Sequence, residues 1–210
     1  MGWFDFARAR AGKTVETLHL PLFPLDTVLF PGGVLGLKVF EQRYLDMVAD
    51  CMKTDQPFGI VLIASGSETG AGVQPHPVGA LASIAGWEME ELGLLLISVR
   101  GGRRFRIIEA QESPANRLTA TVELLTEQKP VAVPPERRRL IPFLQRIISD
   151  LGPKRCPEPH HFDEAAWVGY RITEALPIQN LAKQKLLELD DPLVRLEILE
   201  TWLDQKKLLG

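Results

Sequence analysis

Cys156, His160 and His161 crowd into one short segment, and His76 lies earlier in the chain. Cysteine and histidine are zinc-ligand types, but zinc sites commonly present them as paired CxxC or HxxxH spacings. The segment at 156–161 reads Cys-Pro-Glu-Pro-His-His and provides no such pair. It reads as a proline-rich surface connector between helices. The glycine-rich run at 66–72 raises the question of nucleotide binding. A phosphate cradle needs GxxxxGK[ST] between a strand and a helix, with the lysine reaching the phosphates. This run carries no lysine. Ser65, Ser67, Ser83, Ser98, Ser113 and Ser149 stand in no GxSxG turn that would expose a nucleophile. Glu41, Arg43 and Tyr44 put a carboxylate beside a guanidinium and a phenol, and the carboxylate could suggest acid–base work. The simpler reading starts a helix at Glu41, where negative charge suits the helix dipole, and packs Tyr44 inward.

Two arginine clusters invite a phosphate-binding reading: Arg100, Arg103, Arg104 and Arg106, then Arg137, Arg138 and Arg139. The expectation is instead a solvated hairpin face and a charged helix start, paired with the chain's many carboxylates. The 210-residue chain carries a formal net charge of −3, so it has no overall attraction for nucleic acid or anionic lipid. With 45% hydrophobic and 24% charged residues it can build a real core. No apolar run approaches the ~20 residues that span a bilayer. Cys51 and Cys156 stand far apart, which fits a reducing compartment better than a disulfide framework. The N-terminus, with Trp3, Phe4 and Phe6, lacks the apolar stretch of a signal peptide. The chain is therefore expected to be cytoplasmic, without membrane attachment, with no catalytic residue, cofactor site or metal site.

The elements that would position these residues change character near residue 130. Before it, strands are expected at 18–23, 34–40, 58–64, 78–87, 92–100, 103–109 and 117–125. Leu118, Ala120, Val122 and Leu124 alternate on one face of the last of these. Gly101 and Gly102 are expected to make a tight hairpin, and Pro31-Gly32-Gly33 a sharp turn. A helix is expected at 41–53 and an exposed loop at 65–77. After the proline-rich stretch, helices are expected within 136–151, at 163–175, at 179–189 and from Asp191-Pro192 onward. Pro142 either begins the regular part of the first of these helices or kinks it. The division is thus a tail at 1–17, a β subdomain at 18–128, a linker at 129–135 and a helical bundle at 136–210. The class is α+β.

The segment Leu20-Pro21-Leu22-Phe23-Pro24-Leu25, followed by Val28-Leu29-Phe30-Pro31-Gly32, is long and unusual. With Leu37, Phe40-Glu41 and Arg43-Tyr44 it resembles the opening signature of the Lon protease N-terminal domain family. Phe58-Gly59-Ile60, Val78-Gly79, Gly101-Gly102-Arg103-Arg104-Phe105, Leu176-Pro177 and the run 183–188 fit the same family pattern. Gly36 departs from it, where many members carry proline. The resemblance implies a PUA-like antiparallel β barrel followed by an α-helical bundle. It also implies recognition of polypeptides without the ATPase and peptidase parts of full Lon. The expected partner is a polypeptide or protein; the alternatives are an adaptor for one specific partner, an RNA-binding protein, or a peptidase-associated activity. Phe23, Leu25, Val28 and Phe30 are the expected peptide contacts. Pro24, Pro31, Gly32, Phe40, Glu41, Arg43, Tyr44, Gly102, Arg104 and Phe105 are expected to be structural.

Overall fold

The computed structural model describes residues 16–68, 72–91, 93–113, 116–127 and 129–209. The tail expected at 1–17, with Trp3, Phe4 and Phe6, lies almost wholly outside the described residues, as do residues 69–71 of the glycine-rich run. The chain runs β1 (Thr17–Leu25), β2 (Val34–Val39), α1 (Gln42–Thr54), β3 (Phe58–Ser65), β4 (Gln74–Pro75), β5 (Val78–Glu91), β6 (Leu94–Glu112) and β7 (Leu118–Leu124). The helices α2 (Leu140–Leu151), α3 (Ala165–Ala175), α4 (Asn180–Glu188) and α5 (Pro192–Gln205) follow.

The strands close on themselves. Their order is β1-β7-β6-β5-β3, and β3 returns to β1 through the register Leu22↔Gly59 to Leu25↔Leu62. That closing pair is parallel, and every other described pairing is antiparallel. Closure removes most open edges from the sheet. Strand β2 lies outside this ring and pairs with the first part of β6. Strand β4 corrects the expectation of a plain loop at 65–77: it pairs with the end of β3.

The expected hairpin at Gly101-Gly102 is also corrected. Both glycines sit inside one continuous strand, β6, and the chain reverses instead beside Gly93, whose φ is +88°. The two glycines serve a close backbone approach. Gly32 donates to the Gly101 carbonyl at 2.7 Å, and Gly101 donates to the Gly33 carbonyl at 2.8 Å. A Cβ on Gly101 would stand 2.1 Å from the Phe30 carbonyl oxygen. A side chain here would push the Pro31-Gly32-Gly33 turn off β6.

Pro142 is the third residue of α2, so its missing N–H is one the first turn would leave unpaired in any case. It therefore belongs to the start of the helix. Helix α3 stops at Leu176-Pro177, and the Asp191 carboxylate caps α5 by accepting from Leu193 N at 2.8 Å. One apolar cluster fills the barrel beneath α1, around Phe58, Ile97 and Val99. A second unites the bundle through Leu140, Leu144, Ile172, Leu196 and Leu199. A third, containing Val28, Phe30, Val78, Tyr170 and Leu187, joins barrel to bundle.

Candidate functional site

Phe23, Leu25, Val28 and Phe30, the expected peptide contacts, are buried in the free domain. Strand β1 has core on both faces. Phe23 and Leu25 enter the cluster beneath α1, while Leu20 and Leu22 enter the one around Phe105 and Val122. Phe23 stacks on Tyr44 with ring centroids 4.1 Å apart, and Phe30 meets Tyr170 of α3 at 5.5 Å. Pro24 is buried with them, Pro31 is half-buried, and Gly32 takes the left-handed φ of +73° that its turn requires.

Glu41 is the residue before α1, and its carboxylate accepts from Arg43 Nε at 3.0 Å. Arg43 also donates to the carbonyls of Asn116 at 2.8 Å and Glu68 at 3.0 Å, and its guanidinium lies 4.6 Å from the Tyr44 ring centre. It thereby ties α1 to two loops. Tyr44 is buried, and that burial raises its hydroxyl pKa. The trio packs together at the start of α1. Phe40, just before it, is 61% exposed.

The informative exposed surface lies beside α1. On the β5–β6 pair, Trp87 stands opposite Ile97 and Met89 opposite Leu95. Directly opposed residues of an antiparallel pair share a face. Ile97 and Leu95 belong to the core that α1 covers, yet Trp87 and Met89 are 59% and 60% exposed. Helix α1 leaves them largely uncovered. Leu95 also pairs with Val39, the residue before Phe40. A groove of about 280 Å³ runs between the end of α1 and β5, lined by Cys51, Met52, Asp55, Gly86 and Trp87 among others. Sequence reasoning missed this ledge. The signal was present in Trp87-Glu88-Met89-Glu90, where large apolar residues alternate with acids on a strand.

A second apolar hollow, of about 560 Å³, opens between α4 and α5. Ile178, Leu186, Leu189, Ile198 and Trp202 line it, with Lys185 and Glu188 at its rim. Leu181, Val194 and Ile198 remain exposed on these helices.

A family profile for the ATP-dependent protease La (LON) substrate-binding domain matches residues 19–205. The chain belongs to the LON substrate-binding domain family. In structure it is similar to the Lon N-terminal domain protein from Xanthomonas campestris, with a TM-score of 0.74 and 35% identity. That likeness covers 88% of this chain and 98% of the other. The N-terminal domain of a Mycobacterium avium complex Lon protease shares the fold, at a TM-score of 0.57 and 18% identity, covering 88% and 97% of the two chains. The PUA-like barrel followed by a helical bundle is thus the fold of this LON domain. Among curated proteins, Lon protease 2 of Myxococcus xanthus is 36% identical over 99 residues, 45% of this chain and 12% of its own length. The Lon protease of Cytophaga hutchinsonii is 26% identical over 196 residues, covering 89% of this chain and 23% of its own length. The chain therefore spans 12% to 23% of the length of these relatives, over their substrate-binding part.

Several arginines of this LON domain are engaged within the protein, while Arg100, Arg106 and Arg138 are exposed. Arg104 is buried and donates to the carbonyls of Leu187 at 2.8 Å and Leu189 at 3.1 Å, and to Asp190 at 2.7 Å. It bonds barrel to bundle, beside the fully buried Phe105. Arg103 pairs with Glu16 at 2.7 Å, and its neighbour Gly102 lets β6 pass close to Leu81. Arg137 and Arg139 pair with Glu197, Glu200 and Asp204 of α5. His160 packs against Phe162 and Trp167 and lies 3.1 Å from the Cys156 carbonyl, and Cys156 itself is buried. Among the described residues, no three His, Cys, Asp or Glu side chains converge as a metal-holding group.

Glu174 of α3 is the second residue that sequence reasoning missed. Its Oε1 would lie 2.1 Å from a Cβ on Gly33, so the glycine makes room for it. Burial pushes its carboxyl up to about 7, while Arg171, Lys183, the Phe30 amide and Arg155 pull it back. Arg171 donates to Glu174 at 3.1 Å and to the Pro31 carbonyl at 2.8 Å, so this group locks the turn onto α3. The folded-state value lies above the ordinary 4.5, so the folded state holds this proton more tightly between those two limits. Stability from this group is complete below about pH 4.5 and falls as pH rises through 7. Glu174→Gln is expected to flatten that decline, as read by melting temperature across this window. An unchanged slope would place the carboxyl's titration elsewhere.

Proposed function

We propose that this LON domain is a non-catalytic module that recognises polypeptides, taking unfolded or extended apolar segments in the reducing cytoplasm. One observation carries the reading: the core face of β5 continues past α1 as an uncovered ledge of Trp87 and Met89. Exposed aromatic and thioether side chains grouped beside a groove are the chemistry that holds apolar peptide side chains. The family's substrate-binding description and the missing phosphate-loop and nucleophile motifs support the same reading. Pairing of Arg103, Arg104, Arg137 and Arg139 with carboxylates within the domain reduces the positive charge available to RNA. Two buried free cysteines fit the reducing compartment.

A second reading, docking of one specific folded partner, is favoured by the hollow between α4 and α5. Its apolar walls on two helices suit an amphipathic helix. The experiment that separates the readings is fluorescence anisotropy of labelled casein, a largely unfolded chain, titrated with the domain. Saturable binding that survives moderate salt supports the polypeptide module. Absence of binding removes it and leaves the adaptor reading.

A further inference from the structure

Strand β5 is paired on both sides only over its first part. Its residues 80–82 pair with β3, and among the described residues the pairing with β3 does not continue beyond Ala82. From Ser83 to Glu91, β6 is the strand that pairs with it among the described residues, and its other edge is open. An open edge is a row of backbone donors and acceptors spaced for another extended chain. Here that edge borders the groove beneath the end of α1, with Gly86 and Trp87 on its wall. No heavy atom lies within 4 Å of a Cβ built on Gly86, so the sheet face at that position is open.

We propose that the bound polypeptide adds as an extended strand to the open edge of β5 at residues 83–90, with apolar residues alternating with lysine or arginine. This inference rests on the polypeptide-recognition reading and specifies its mode and substrate class. The added backbone completes the ladder of β5, and alternate side chains drop onto Trp87, Met89 and Met52. The charge preference follows from the acids beside the ledge. Asp55 lines the groove, and Glu88 and Glu90 alternate with Trp87 and Met89 along the strand. Lys38 approaches Glu90 at 3.9 Å, and Glu88 carries a further negative charge on that strand. The same acids oppose edge-to-edge pairing with a second copy of this chain, because like charges would meet across the join.

The test uses the full chain and a short fluorescein-labelled peptide alternating leucine with lysine, read by anisotropy. Two further peptides carry backbone N-methyl groups on one or the other alternate set of residues, and a fourth replaces lysine with glutamate. An extended strand offers alternate N–H groups to one edge. One methylated set is therefore expected to weaken binding at least about tenfold while the other retains it. The glutamate peptide is expected to bind at least about tenfold more weakly, and Glu88→Lys to narrow that gap. Equal binding of the parent and both methylated peptides overturns strand addition while leaving polypeptide recognition standing. Equal binding of the lysine and glutamate peptides overturns the charge preference. Failure of the parent peptide and casein alike overturns the recognition reading itself.

Discussion

Arg195→Ala is expected to lower the stability of this LON domain by about 3–5 kcal/mol, read from the denaturant midpoint at constant slope. Arg195 is wholly buried, an unusual place for a guanidinium. Burial pulls its pKa down, with Tyr170 opposing the shift. The side chain earns its place through hydrogen bonding. Its Nε donates to the Leu186 carbonyl at 2.9 Å, and a terminal nitrogen donates to the Leu189 carbonyl. These groups end α4, where backbone carbonyls have no partner within the helix. The guanidinium also lies 4.1 Å from the Tyr170 ring centre, a cation–π contact shielded from water. Alanine would leave both carbonyls without this donor and open a cavity against Gly169, whose missing Cβ admits the arginine stem. Arg195→Lys is expected to recover part of the loss, since a single ammonium cannot reproduce the planar fork. A loss below about 1 kcal/mol for alanine would show that water replaces the side chain without penalty.

The double substitution Trp87→Ala with Met89→Ala is expected to weaken binding of unfolded polypeptide at least about tenfold. Both side chains are more than half exposed in the free domain, so melting temperature should change little. The contrast matters because the buried hydrophobes of the opening motif behave oppositely. Phe30→Ala is fully interior and would act through unfolding, leaving its effect on binding uninterpretable. Unchanged binding by the double variant, with the fold intact, would move the polypeptide site off β5 and toward the hollow between α4 and α5.

Much of this fold was legible because local patterns and tertiary burial agree. The alternation in β7, the Asp191-Pro192 start of α5 and the proline stop after α3 each report a local rule that the structure keeps. Gly101 and Gly102 misled because glycine has two uses. A turn needs its positive φ, whereas β6 needs only its missing side chain beneath the Phe30 turn. Short-range sequence cannot tell these apart, because the neighbour that decides lies some seventy residues away, at Phe30. The burial of the opening motif was not legible for a related reason. An apolar run reads the same whether it is exposed or covered on both faces, and β1 is covered by two separate clusters. The ledge at Trp87 depends on where α1 stops relative to β5, a tertiary fact that composition does not encode. Arg195 gave no signal of its burial, because its surroundings in the sequence are those of an ordinary amphipathic helix.

The most direct test of the central claim is an NMR titration of the isotope-labelled chain with an unlabelled unfolded polypeptide, following backbone amides. Concentration-dependent shifts are expected at residues 83–90, at the end of α1 and at the Trp87 indole. Shifts confined to α4 and α5, or none at all at saturating polypeptide, would contradict that claim.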